Sequence, residues 1–311
     1  LQGMVRWPEE TASTEPVEVR LARLDLPEPA APAEVAPVLD VLSPAARVSV
    51  DSLSWQGRPL GRLTARLLSG QDGVILDDLR LAGGAHEGRG SVLCPAEPAA
   101  CRMSFELVSR DAAATLRDFG FRDDVSASQA TLAGDLEWSP QTSDPWLAAL
   151  TGQLRLRLSD GTTRTGINED APRFGLLAVP ALVSGMARPE AAAVVRPGPV
   201  PAELRFTRLE ADYELREGSA FTSNLHFDGE AEILMRGRTG ILARDYDHEV
   251  WILRGEDRLP AAVRRLGPTP SVAAAWMSLR ELLGRKGGDR SRPVVSLVGT
   301  WSEPVITPEE E

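Results

Sequence analysis

Between Ala202 and Leu253 apolar side chains return at every second position: Leu209, Ala211, Tyr213 and Leu215, then Leu225 and Phe227, then Ala231, Ile233 and Met235, then Val250 and Ile252. The breaks fall where turns are cheapest, at Glu217-Gly218, at Asp228-Gly229 and at Gly237 and Gly240. A period of two puts alternate side chains on opposite faces, so such a stretch folds as an antiparallel meander with one apolar and one charged face. The same rule appears upstream, where Leu154, Leu156 and Leu158 alternate with Arg155 and Arg157. What covers the apolar face decides what the chain can do.

The alternation is not perfectly phased, and its errors are regular. Val17, Val19 and Leu21 share one parity while Leu24 and Leu26 take the other. Val48 and Val50 stand in the same relation to Leu53 and Trp55, and Leu204 and Phe206 to Leu209 and Ala211. A slip of one residue inside a strand predicts a bulge or a twist that re-aims the side chains. Repetition of the slip points to repeated units. Gly61 to Gly84 and Thr207 to Glu230 run in parallel as strand, Gly-containing turn and strand, with Leu79 and Leu81 standing where Leu225 and Phe227 stand.

Helical patterns interrupt the strands. Asp111 to Phe119 predicts a short covering helix, with Ser109 as its cap, Ala112, Leu116 and Phe119 at helical spacing and Gly120 to end it. From Asn168 a second helix runs toward Met186, kinked near Pro180; its Phe174, Leu176, Leu177, Val179, Leu182 and Val183 surround most of the axis. A helix apolar on most sides is buried or touches lipid. Glu190 to Pro201 reads as a Pro/Ala/Gly linker. Leu259 to Leu266 and Ser271 to Leu283 predict a helical hairpin whose stripe of Ala273, Trp276, Met277, Leu279, Leu282 and Leu283 packs on the sheet or docks on a membrane. The resulting division is a first β unit with a cysteine loop (1–110), a middle region of covering helix, hairpin, kinked helix and linker (111–201), and a second β unit with the helical hairpin and a last strand (202–311).

Charge narrows the function classes. A net charge of -11 and a single lysine, Lys286, argue against nucleic acid and against a polybasic hold on anionic lipid. No run approaches the ~20 apolar residues of a membrane-spanning helix. The chain opens on Leu1-Gln2-Gly3 inside a strand-like pattern, as expected of a processed chain or a fragment of a longer one. Cys94 and Cys101 stand at the feet of a short loop between strand-like runs, a placement suited to a disulfide and an oxidising compartment. Free thiols are the alternative, and zinc would need two more ligands where only His86 and Glu97 are near.

Catalytic signatures are missing: there is no Gly-x-Ser-x-Gly, no His-Glu-x-x-His and no phosphate-cradling Gly loop. Asp245, Asp247, His248 and Glu249 form the one acidic cluster containing a His, but strand alternation separates His248 from the three acids. The cluster reads as a solvated face. No enzyme, metal or cofactor is expected.

The order of segments resembles the C-terminal region of the AsmA-like, YhdP-type envelope proteins over nearly the whole chain. The resemblance is carried by Leu60-Gly61-Arg62-Leu63 with Asp72-Gly73-Val74 and Asp78-Leu79-Arg80-Leu81, by Leu116 to Phe121, and by Gly134-Asp135-Leu136-Glu137-Trp138. It continues through Leu150 to Gly161, Gly175-Leu176-Leu177, Arg216-Glu217-Gly218 with Thr222-Ser223-Asn224-Leu225, Gly237-Arg238-Thr239 and the closing Val298-Gly299-Thr300-Trp301-Ser302-Glu303-Pro304. It implies a mainly β chain whose curved antiparallel meander forms an apolar, taco-like groove, with short covering helices, in the periplasm and within a longer inner-membrane-anchored protein. It further implies that the groove binds phospholipid acyl chains and helps move lipid between inner and outer membrane.

On this reading the groove is lined by Leu154, Leu156, Leu158, Leu209, Ala211, Tyr213, Leu215, Ile233, Met235, Val250 and Ile252. Phe174, Leu177, Leu182, Trp276, Met277 and Leu283 belong to helices at the membrane or the groove mouth, through which the outer membrane would be touched. The alternative is an envelope scaffold or assembly-factor domain that binds protein partners without carrying lipid. The two readings differ in whether the apolar face closes on itself or encloses an open groove.

Overall fold

The computed structural model describes residues 2–6, 16–26, 45–70, 73–96, 100–139, 146–165, 176, 202–229, 232–254, 295–301 and 304–308. Fifteen strands form one sheet in which each strand is hydrogen-bonded to its neighbours in the chain. In order these are β1 (Gln2–Arg6), β2 (Val17–Leu26), β3 (Ala45–Trp55), β4 (Arg58–Gly70), β5 (Gly73–Ala82), β6 (His86–Pro95), β7 (Cys101–Ser109) and β8 (Val125–Trp138). They continue as β9 (Thr151–Thr165), β10 (Ala202–Arg216), β11 (Ser219–Gly229), β12 (Glu232–Gly240), β13 (Asp245–Arg254), β14 (Val295–Thr300) and β15 (Pro304–Pro308). Two short helices are described, α1 (Ala112–Asp118) and α2 (Trp146–Ala149). The second helix and the C-terminal helical hairpin expected from the sequence lie outside the described residues, apart from the helical residue Leu176.

Pairing follows the alternation. Leu154, Leu156 and Leu158 stand opposite Tyr213, Ala211 and Leu209, while on the other face Arg155 and Arg157 meet Asp212 and Glu210. Leu225 and Phe227 meet Met235 and Ile233, which in turn meet Val250 and Ile252. Like therefore stacks beside like across the sheet, and both faces gain from cross-strand pairs.

One expectation needs correction. The meander is antiparallel except at β2 and β3, which run parallel. The long connection from Leu26 to Ala45 is what allows this, since a parallel return needs a crossover of about a dozen residues or more. At the other end of the sheet Pro304 opens β15, which among the described residues pairs with β14 alone. A proline that cannot donate to a ladder is tolerated there, at the first residue of an edge strand.

The phase slips are bulges. An extra residue, Ala22, separates the Gln2↔Arg23 and Gly3↔Leu21 pairs. The register also shifts between Val50 and Leu53 in β3, and between Phe206 and Arg208 in β10. The two similar hairpins break register at equivalent places: between Thr64 and Arg66 in β4 as between Glu210 and Tyr213 in β10, and between Leu76 and Leu79 in β5 as between Thr222 and Leu225 in β11. The sheet runs unbroken from one hairpin to the other through β6 to β9.

Bulges in so many strands bend the sheet, and glycine permits the tightest approaches. Gly134 of β8 lies where the side chains of Phe105 and Leu154, from the strands on either side, converge above it; a Cβ there would sit 2.6 Å from each. Gly152 of β9 has φ +134°, and a Cβ would lie 2.1 Å from the Asp135 carbonyl oxygen. The β6–β7 hairpin is closed by a disulfide between Cys94 and Cys101, with Cα atoms 4.2 Å apart.

Helix α1 sits over this bend. Its cap is Asp111 rather than Ser109: Asp111 Oδ1 accepts from the Ala114 amide at 2.9 Å, while Ser109 Oγ accepts from the Asp111 amide at 3.1 Å. Ser109, the last inward residue of β7, bonds Thr115 Oγ1 at 2.8 Å and so ties the helix to the sheet.

Gly152→Ala should cost at least about 2 kcal/mol, because the new Cβ meets backbone on a conformation that only glycine adopts freely. Gly57→Ala, at φ +77° in a turn with nothing within 4 Å of the Cβ, should cost about 1 kcal/mol. Urea unfolding of the two variants checks the order; equal costs would contradict this account of the bend.

Candidate functional site

The inner, apolar face is not uniform along the sheet. From β9 to β14 it is sealed: Leu209, Leu225, Phe227, Ile233, Val250 and Leu297 are wholly buried, and Met235 and Leu158 nearly so. Leu154, Leu156, Ala211, Tyr213 and Leu215 belong to the same cluster. Ile252 is paired with Ile233, which fixes its place in the register. From β5 to β7 and in the middle of β8 the corresponding positions, Leu76, Leu79, Leu81, Val92, Met103, Phe105, Leu107 and Leu132, are only half-buried, while Val125, Ala127 and Leu136 nearer the ends of β8 are buried.

One cover of the sealed half is described. Leu176 is buried against it, and its carbonyl accepts from the Tyr213 hydroxyl at 3.1 Å. Burial pushes the Tyr213 phenol far above its usual range, so it stays protonated and can donate. Phe174, Leu177, Leu182, Trp276, Met277 and Leu283, expected at the membrane or groove mouth, lie outside the described residues.

In the half-open part, α1 stands off the sheet and leaves a cavity of about 340 Å³. Its floor is Leu79, Leu81, Phe105, Leu107, Ala130, Leu132, Leu156 and Leu158, and its roof Ala112, Leu116, Phe119 and Phe121. Of the polar side chains around it, Ser109 and Thr115 bond each other and Arg89 pairs with Glu106, while Thr131 completes the lining. The roof residues Leu116, Phe119 and Phe121 remain half-buried although their pattern is that of a core-facing surface. The space beneath them is the reason.

A larger concavity of about 760 Å³ lies on the opposite, charged face across β8 to β13. Its charges are largely paired across strands: Arg155 with Asp212 at 3.3 Å, Arg236 with Glu249, and Asp212 also with the Asn224 side chain. It therefore has the character of a solvated sheet face.

The acidic cluster divides as alternation demands. Asp245 points outward and is held by both Arg238 nitrogens, at 2.9 and 2.8 Å, which keep its carboxyl below the usual range. His248 points inward, is 1% exposed and bonds Thr239 Oγ1 at 2.8 Å. Among the described residues no group of three or more His, Cys, Asp or Glu could hold a metal ion.

Sequence reasoning placed the lining in β9 to β13, where alternation is cleanest, and missed Leu79, Leu81, Phe105, Leu107, Leu116, Phe119, Phe121 and Leu132. The signal for these was present but divided: Leu79 and Leu81 appeared as a repeat match, Leu116 and Phe119 as a helix stripe.

His248 yields a pH prediction. Burial pushes its imidazole down from 6.5 to about 4. The unfolded ring takes up a proton near pH 6.5 and the folded one does not until about pH 4. Stability is therefore full above pH 6.5 and falls as pH drops through this window, by about 3 kcal/mol in all. His248→Gln should flatten the urea-midpoint profile between pH 7 and 4.5; an unchanged profile would contradict the assignment.

Among known proteins, no curated sequence and no solved structure gives a match. Among the described residues no helix is long and apolar enough to cross a membrane. A family model described as YhdP protein matches residues 1–306. With almost its full length matched, the chain belongs to the YhdP family.

Proposed function

We propose that this region binds the acyl chains of phospholipid along its inner face. As part of a longer, inner-membrane-anchored AsmA-like protein in the periplasm, it helps move lipid between the inner and outer membranes. One observation carries the reading: over β5 to β7 and the middle of β8 the apolar face is left half-open and holds a cavity walled mostly by hydrocarbon. Small-ligand sites are concave and mostly apolar, whereas a sheet face that serves only as core is filled. The sealed half would then anchor the structure, and the half-open half would carry the lipid. Contact with the outer membrane would fall to the C-terminal segment that the sequence leads one to expect as a helical hairpin.

A second reading, an envelope scaffold that binds protein partners, is favoured by a different observation. Ile75 and Leu93 face each other across β5 and β6 and are 38% and 41% exposed. An exposed apolar pair on a strand face suits a protein contact.

Charges placed in the two halves separate binding from folding. Leu107→Glu, in the half-open part, should leave the chain folded and remove phospholipid that copurifies with it, because the carboxylate can reach water. Ile233→Lys, wholly buried, should cost more than about 4 kcal/mol and unfold the protein. Thermal melts with mass spectrometry of extracted lipid check both. A parent chain free of lipid, with a surface that captures envelope protein through Ile75 and Leu93, would favour the scaffold.

A further inference from the structure

The cavity under α1 differs from the rest of the inner face in being roofed on one side by a separate, short element. The helix is short and continues into Gly120, where φ is +87°. At its middle it is tied to the sheet by the Ser109–Thr115 hydroxyl pair. At its end the contacts are longer: Asp118 Oδ2 lies 3.6 Å from Nδ1 of the buried His86, and Arg58 donates to the Arg117 carbonyl at 3.5 Å. The His86 ring is itself fixed to the sheet by Nε2 against the Leu60 carbonyl oxygen at 3.1 Å, and it packs against Phe119 with ring centroids 5.2 Å apart. The helix thus rests on a firm sheet-side post but covers space that its own side chains do not fill.

Size restricts what can enter. A dry apolar cavity of about 150 Å³ accepts a molecule of benzene. The 340 Å³ here is about twice that, enough for the end of one alkyl chain and too little for the paired tails of a diacyl lipid. The lining is mostly hydrocarbon, and of its polar side chains Arg89 pairs with Glu106 and Ser109 with Thr115, so the walls favour an apolar ligand over a headgroup. Resting on the proposed lipid-binding function, we infer that this cavity is a subsite for the end of a single hydrocarbon chain. Helix α1 is the lid that lifts to admit it, and Ala130 and Leu132 on the floor limit how far the chain penetrates. The occupant is an alkyl chain, supplied either by a free fatty acid or by one tail of a phospholipid.

Titration of the delipidated full chain with oleate, and separately with vesicles of palmitoyl-oleoyl phosphatidylethanolamine, tests this. The parent chain is expected to bind at least one of the two, and which one identifies the source of the chain. Ala130→Phe fills the cavity from the floor and should weaken that binding at least tenfold with little change in melting temperature. Leu132→Trp serves the same purpose should the first variant fail to fold. Leu116→Ala thins the lid and should speed release at least fivefold. A folded floor variant that binds as the parent does would overturn the subsite while leaving lipid binding elsewhere on the face intact. A parent chain that binds neither oleate nor phospholipid would overturn both readings.

Discussion

A single sheet of fifteen strands presents far more apolar surface on one face than water tolerates, and this is the constraint to which the other features answer. Burying that face is worth roughly 25 cal/mol per Å². Among the described residues no second sheet packs upon it. The available solutions are to curl the sheet and to lay short segments across it. The bulges in β2, β3, β4, β5, β10 and β11 serve the first. Helix α1 and the segment at Leu176 serve the second.

The two halves of the sheet resolve the constraint differently although each contains a similar hairpin. Leu79 and Leu81 in β5 correspond to Leu225 and Phe227 in β11, and their bulges fall at matching positions. Yet the first pair is half-buried and the second wholly buried. Larger side chains account for part of the difference: Phe227 and Phe206 pack ring against ring at 5.4 Å, where β5 offers only Leu81. The polar groups follow the same division. Buried His248, Thr239 and Tyr213 in the sealed half are bonded within the protein and reinforce a fixed core. The half-open part exposes hydrocarbon with few polar side chains beside it.

Much of this was legible in the sequence because alternation and its errors are local. Leu154 to Leu158 against Arg155 and Arg157 specified one strand and its faces, and the slips at Ala22, Val50 and Phe206 specified bulges. Burial was not legible, because it depends on what lies across the sheet rather than on the strand itself. Phe105 and Leu158 both alternate with charged or polar neighbours in a strand, yet one is half-buried and the other 1% exposed. The cap of α1 was misplaced for a similar reason. Ser109 and Asp111 both have suitable side chains, and only the inward position of Ser109 at the end of β7 diverts its hydroxyl to Thr115. The parallel pairing of β2 with β3 likewise rests on the path of a connection whose residues carry no periodic signal.

The division of the inner face into a sealed part and a half-open part, proposed to take lipid, can be measured in place. A photoreactive phenylalanine analogue at Leu107, and in a second protein at Phe227, would be activated in cells carrying labelled phospholipid. The account predicts lipid adducts from position 107 and none from position 227, with both proteins folded and present at equal levels. Adducts from 227 alone, or from neither position while 107 instead captures protein, would contradict it.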